Sequence, residues 1–229
     1  MTSADIEAKY ARLQDHISQW ESAIVAFSGG IDSSLVAYVT AQTLGARALA
    51  VTSGSASLKR SDLRLAEDLA ERWDMPHRVI VTDEVHNPSY RANPNNRCYY
   101  CKTALYTALQ QIAETDNFDV ILNGTNCDDL GDHRPGLQAA DEFAVRSPLV
   151  DAGFSKADVR ALAAHLGLEN ADKPQAACLS SRFPYGTAID EQKLAQVEQA
   201  EEVLTSYGLR QFRVRHHGEV ARLELLPEE

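Results

Sequence analysis

The residues best suited to chemistry in this 229-residue chain are its four cysteines and one glycine-rich hexapeptide. Cys178 stands in "PQAACLSSRFPYG" (174–186), a polar segment between Pro174 and Pro184 and far from the other thiols in sequence. A free cysteine is commonly a small buried hydrophobe. Here Arg182, four residues on, can lower a thiol pKa from its reference of ~8.5, so a nucleophile or ligand stands somewhat ahead of an inert filler. Cys98 and Cys101 form "RCYYCK" (97–102), a C-x-x-C at an expected helix start. That pattern suits a redox dithiol or half of a zinc site. Zinc needs four ligands; Cys127 and His133 could complete the set, although their flanks read as a nucleotide loop. Three converging thiolates would suit instead a [4Fe–4S] cluster with one open iron.

The hexapeptide "SGGIDS" (Ser28–Ser33) follows a short apolar run and precedes a helical one. Gly29 and Gly30 allow positive φ and close approach of the backbone to an anion, and the helix start adds unpaired N–H groups. Ser28 and Ser33 supply hydroxyl donors. Neither G-x-x-x-x-G-K-[ST] nor G-x-G-x-x-G is present. The bland reading is a glycine-rich turn with Asp32 near the helix start. In "NGTNCDD" (123–129), Asp128 and Asp129 sit where a metal or ribose could be held, or where an Asx-rich turn caps the next helix.

These residues need a scaffold that brings loops together. An amphipathic helix is expected over 4–20, from Tyr10, Leu13, Ile17 and Trp20. "AIVAF" (23–27) reads as a strand buried on both faces, and "RALAVT" (47–52), "HRVIVT" (77–82) and "FDVILNGT" (118–125) read as further strands, alternating with helices after 33, over 61–73 and over 101–115. The alternation predicts an α/β fold with a doubly wound parallel sheet and its ligand at the carboxyl ends of the strands. The domain expected over 1–150 is followed by a small α+β appendage over 151–229. In that appendage Ser155 and Asp158 signal a helix start, 189–207 reads as a long helix, and 211–217 and 220–225 read as strands. Since the chain stops right after that last strand, a missing piece is expected there.

Thirty-three acidic against 22 basic residues give a net charge of -11, which argues against a nucleic-acid partner. No apolar run is long enough to span a bilayer and the first residues lack a signal-peptide core. A cytoplasmic protein without a membrane partner is expected. In such a compartment four cysteines are thiols, ligands or nucleophiles rather than a disulfide framework.

"SGGIDS" resembles the pyrophosphate loop of the PP-loop (N-type ATP pyrophosphatase) superfamily. "RCYYCK", "NGTNCDD", "RPGLQAADE", "RSPL", "DKPQAACLSSRFPYG" and "RVRHHGEVARLE" occur in the order and spacing of the LarE family, the ATP-dependent sulfurtransferases of nickel-pincer nucleotide cofactor biosynthesis. The resemblance runs from about residue 20 to 225. It implies ATP and Mg²⁺ at Ser28, Gly29, Gly30, Asp32, Ser33, Thr52, Gly124 and Asp129, with the loop "VTSGSAS" bordering the nucleotide. It implies a pyridinium mononucleotide substrate held by Lys102, Arg182, Glu201, Arg213 and Arg215, and Cys178 as the catalytic thiol. Arg213 and Arg215 alternate along their strand and so share a face, suited to a phosphate or to pairing with Glu219 or Glu224. His216 and His217 read as surface residues.

In the family's sacrificial route the cysteine gives up its own sulfur. The resemblance of the three-thiol pattern to cluster-bearing members implies instead a [4Fe–4S] cluster held by Cys98, Cys101 and Cys178 as the source. A homo-oligomer is also implied. The competing expectations are a PP-loop tRNA thiolase, which would need an RNA surface, and a nucleotide-binding or iron–sulfur carrier without catalysis. An NAD-synthetase-like enzyme shares the loop but leaves "CYYC" and "ACLSSRFPYG" without a purpose.

Overall fold

The computed structural model describes residues 2–131, 135–174 and 177–227. His133, Arg134, Gln175 and Ala176 therefore lie outside the described residues, and with them the zinc reading's fourth ligand and parts of two motifs. The elements in chain order are α1 (Ser3–Ile17), β1 (Ala23–Ala26), α2 (Ile31–Leu44), β2 (Ala48–Ser53), α3 (Arg60–Arg72), β3 (His77–Ile80), α4 (Pro88–Arg91), α5 (Arg97–Asp116) and β4 (Val120–Leu122). They continue through α6 (Pro135–Glu142), α7 (Pro148–Asp151), α8 (Lys156–His165) and α9 (Glu191–Ser206) to β5 (Phe212–His217) and β6 (Val220–Leu225).

Among the described residues the main sheet is parallel with order β3-β2-β1-β4. Helices cover both faces, and the sequence shows why. Side chains alternate across a strand. Ala23, Val25 and Phe27 with Ala48, Ala50, Val120 and Leu122 pack toward α1, α2 and α8. Ile24, Ala26, Leu49, Val51 and Ile121 pack toward Tyr106 and Leu109 of α5 and Ala139 and Ala140 of α6. Neither face of β1, β2 or β4 can be polar, so these strands read as continuous apolar runs, whereas the edge strand β3 is only partly buried.

The first of these cores does not stop at residue 150: Phe154, Val159, Leu162, Ala163 and Leu168 belong to it. The helix start expected at Ser155 is present as a reciprocal cap, Ser155 Oγ accepting from Asp158 N–H while the Asp158 carboxylate accepts from Ser155 N–H. A third, smaller core joins Val85, Tyr90, Leu179, Phe183, Ile189, Leu194 and Val197. It seats α9 and the cysteine-bearing segment against the start of α5. β5 and β6 form an antiparallel hairpin with Arg215 opposite Arg222 and Arg213 opposite Glu224.

Two expected elements differ in extent. The strand read over 118–125 is only Val120–Leu122, because Asn123 and Asn126 accept N–H groups two residues on and turn the chain. The helix read over 101–115 starts earlier, at Arg97, and so takes both cysteines of the C-x-x-C into its first turns.

Candidate active site

At the end of β1 the chain turns through Ser28–Gly30 into α2. Gly29 has φ +68, and a Cβ there would meet Ala66 N and Asp62 O of α3 at 3.4 Å, so conformation favours glycine and space is tight. Ser33 closes the turn: its Oγ donates to Gly30 O (3.0 Å) and accepts from Ser28 N–H (3.2 Å). Beyond it, the first N–H groups of α2 lack partners within the helix and carry the positive end of its dipole. Gly124, just past β4, lies so close that a Cβ would stand 2.6 Å from Ser33 N.

Distant residues hold this turn in place. Asn170 Nδ2 donates to Gly29 O (3.0 Å) and Ser34 Oγ (2.7 Å). Lys173 reaches Gly29 O at 3.4 Å and pairs with Asp62 at 2.9 Å. Asp32 accepts from Asn126 Nδ2 (3.1 Å) and pairs with Lys156. None of Asn170, Lys173 or Lys156 follows from local sequence, since each acts across more than 90 residues. Asp128 turns away, its carboxylate accepting the Lys156 N–H (2.8 Å) that opens α8.

A cavity of about 810 Å³ opens over this turn. At one end it is lined by Ser28, Gly30, Asp32, Ser33, Thr52, Gly124 and Asp129, and by Ser53, Ser55 and Ser57 of the loop after β2. Gly29 shapes the turn from behind without lining it. At the other end stand Cys98, Cys101, Cys178 and Lys102. Cys98 and Cys101 are one turn apart on α5 and share a face, and Cys178 comes from the segment ahead of Leu179.

The electrostatics show how near these groups are. The Cys101 thiol is pushed up to about 12, first by burial, then by the Glu84 carboxylate and by Cys178, with Lys102 opposing. The Lys102 ammonium is held above its ordinary range, first by Tyr106, whose ring centroid lies 5.7 Å away. Burial works against that shift, and the three thiols add to it. Among the described residues no group of three or more His, Cys, Asp or Glu could hold a single metal ion; the three thiols border a shared space rather than a point. Cys127 is elsewhere, its thiol facing Val150 O at 3.9 Å.

The Cys178 segment is tied down by its backbone. Leu179 N–H donates to Ser57 O (2.9 Å), and Arg97 donates to Ser180 O (2.9 Å). Arg182 Nη1 reaches Ala177 O (2.7 Å) and Cys178 O (3.2 Å). The same guanidinium grips Glu201 through Nε (2.8 Å) and Nη2 (3.2 Å). Glu201 also pairs with Lys59 and accepts Val214 N–H (3.1 Å). Burial alone would raise its carboxyl, but the hydrogen bonds from Arg182, Lys59 and Val214 hold it below the ordinary value of 4.5. Arg182 and Glu201 thus spend most of their bonding capacity on each other and on the backbone.

Of the predicted substrate residues, Lys102 lines the large cavity, whereas Arg182 and Arg215 line a second one of about 410 Å³. Arg97, His217 and Arg222 border this second cavity too, and Tyr185 borders both. Arg215 is oriented by Ser181 O (2.6 Å) and Glu224 (2.8 Å). Arg213 is exposed and lines neither cavity. Of the two histidines, His217 is exposed and His216 stacks on Phe183 with centroids 4.9 Å apart. Arg97 went unnoticed in sequence because it precedes a more conspicuous cysteine, and Arg222 because a hairpin partner cannot be read before the register is known.

Among the described residues no helix is long and apolar enough to cross a membrane. Residues 14–205 match the family described as asparagine synthase. An uncharacterised protein of Synechocystis is 44% identical over 224 residues, covering 98% of this chain and 84% of that protein. The pyridinium-3,5-bisthiocarboxylic acid mononucleotide synthase of Lactiplantibacillus plantarum is 38% identical over 223 residues, covering 97% of this chain and 81% of that enzyme. Among solved structures, the NH3-dependent NAD synthetase of Campylobacter jejuni superposes with a TM-score of 0.61 at 17% identity, covering 90% of this chain and 88% of that one. At that identity the likeness is one of fold.

Proposed function

The chain belongs to the asparagine synthase group of PP-loop domains and within it to the LarE family, and on that premise we propose that it is an ATP-dependent sulfurtransferase making the thiocarboxylate of a pyridinium mononucleotide for the nickel-pincer cofactor. The observation that carries this reading is the single cavity bordered at one end by the Ser28–Ser33 turn and at the other by Cys178. Activation and sulfur delivery then share one space.

A carboxylate resists a thiolate because it is anionic and its oxygen leaves poorly. ATP removes both obstacles. The substrate carboxylate oxygen attacks the α-phosphorus, and pyrophosphate leaves toward the Ser28, Gly30 and Ser33 donors and the start of α2. Asp32 and Asp129, both on the cavity wall, are the oxygen donors suited to Mg²⁺, which would neutralise the crowded phosphates. Lys102 faces the substrate carboxyl end. The second cavity, with Arg182, Arg215, Arg97 and Arg222, suits the substrate's own phosphate, and Tyr185 marks the passage between the two. Arg213 and Glu201 act from farther out, Glu201 by holding Arg182.

Cys178 Sγ then attacks the acyl carbon and AMP leaves, giving a thioester. In the sacrificial ending, removal of the Cys178 Cα proton breaks Cβ–Sγ, the electron pair leaves with sulfur as the thiocarboxylate, and dehydroalanine remains. Cys98, Cys101 and Cys178 are also the three-thiolate set that a [4Fe–4S] cluster takes, and such a cluster would supply sulfide in place of the Cys178 sulfur. A tRNA substrate fits poorly with the net charge of -11.

Incubation with ATP, Mg²⁺ and the pyridinium carboxylate mononucleotide should release pyrophosphate only when the mononucleotide is present. ATP binding without that release would refute catalysis. Intact mass afterwards separates the endings: loss of H₂S from Cys178 marks the sacrificial one. An unchanged mass, with iron and acid-labile sulfide found anaerobically and lost in Cys98→Ser, marks the cluster.

A further inference from the structure

A carboxylate that neither composition nor motif singles out sits in the wall of the large cavity. Glu84 follows β3 in "TDEVH" and is 2% exposed. Its Oε1 accepts from Ser57 Oγ (3.0 Å) and its Oε2 from Thr82 Oγ1 (2.7 Å). Each hydroxyl has one proton to give. Since Ser57 and Thr82 give theirs to Glu84, their own contacts must be fed from outside: Ser55 Oγ donates to Ser57 (2.9 Å) and Ser53 Oγ to Thr82 (2.6 Å). Two hydroxyl chains thus point all their dipoles at one carboxylate, both of whose oxygens act as acceptors, an arrangement that strengthens each bond along the chains.

No Lys, Arg or His pairs with Glu84 among the described residues. A buried carboxylate without a counter-charge is costly, and buried charges are ordinarily paired or bind a cation. Lys59 is taken by Glu201, Lys156 by Asp32 and Lys173 by Asp62. Among the described residues lining the cavity Lys102 is the cation at the thiol end, and Glu84 is felt by Cys101 at the same end. Among the described residues the thiol end therefore offers one ammonium and one carboxylate. That is the complement of a ligand that carries an anionic substituent on a cationic ring.

We propose that Glu84, oriented by its two hydroxyl chains, is the counter-charge that selects a cationic aromatic ring beside the three thiols, while Lys102 takes the ring's carboxyl group. The proposal rests on the pyridinium reading above and adds to it a residue that decides specificity. It also makes Glu84 a group that touches substrate without taking part in bond making. A neutral benzoate-type ring of the same shape would leave the carboxylate buried and unpaired, and would be rejected for that reason.

Two probes test this with the full chain in the presence of a non-hydrolysable ATP analogue and Mg²⁺: nicotinic acid mononucleotide, and its C-nucleotide analogue with a benzoic acid ring in place of the pyridinium. Wild type should bind the cationic ring roughly 10- to 100-fold more tightly, the scale of one close charge pair in a partly screened site. Glu84→Gln should erase that preference, leaving affinity for the neutral ring and for the ATP analogue unchanged. Glu84→Asp, which keeps the charge, should restore the preference even if both affinities fall.

Equal binding of the two rings by wild type overturns the assignment of Glu84 alone. So does a Glu84→Gln variant that weakens both rings, or ATP, by the same factor. Wild type that binds neither ring refutes the pyridinium reading, and the proposal with it.

Discussion

Replacing Glu201 by Gln removes the charge at the point where four parts of the chain meet. Its carboxylate takes two bonds from Arg182, one from Val214 N–H and an ion pair from Lys59. Glu201 and Arg182 are each 2% exposed, so solvent cannot replace what is lost. Removing one partner of such a buried pair costs about 3–5 kcal/mol. For a chain of this length, at about 2–4 °C per kcal/mol, Tm should fall by roughly 10 °C. The depressed pKa fixes the pH dependence. The unfolded carboxyl titrates near its ordinary 4.5 and the folded one lower, so the contribution is complete above pH 4.5 and disappears as pH falls through the folded value. Urea denaturation followed by the fluorescence of Trp20 and Trp73 should therefore show a wide gap between wild type and E201Q at pH 7, closing as the pH falls below 4.5 and through the lower folded value. A variant within about 1 kcal/mol of wild type at pH 7, the size of an exposed pair, would refute the reasoning. So would a gap that stays constant down to acid pH.

Gly124→Ala should weaken ATP binding at least tenfold, measured by calorimetry, because its Cβ would stand 2.6 Å from Ser33 N and push the turn away from its phosphate-binding position. Cys178→Ser should still release pyrophosphate on addition of the pyridinium carboxylate substrate while forming no thiocarboxylate, as product mass spectrometry would show. Asp190→Ala should cost about 1 kcal/mol in chemical denaturation, since Asp190 Oδ1 caps α9 by accepting Lys193 N–H at 2.8 Å, and should leave ATP affinity within twofold.

What could be read from sequence was what local physics dictates. Burial on both faces made β1, β2 and β4 visible as apolar runs. "SGGIDS" was visible because positive φ at Gly29 and a helix start can be inferred from a few neighbours. The joint position of the three thiols was a matter of resemblance rather than of spacing, since Cys178 lies 77 positions after Cys101. Glu84 was hidden because it reads as one more acid in an acidic turn, and only its burial under Ser57 and Thr82 sets it apart. Asn170, Lys156 and Lys173 were hidden for a related reason: their partners are backbone or side chains far away in sequence. Asp128 and Asp129, adjacent and alike on paper, are separated by geometry, one capping α8 and the other facing the cavity.

The anchoring of the Cys178 segment has a bearing on the life of the molecule. Every tether described for it ends on a carbonyl, an amide or a neighbouring side chain: Ala177 O, Cys178 O, Leu179 N and Ser180 O. None uses the sulfur atom. A copy that had surrendered its sulfur would still have every one of these tethering groups, and would compete with a fresh one for the same ligands. Telling spent protein from new would then require inspection of one side chain, because the fold itself carries no record of use.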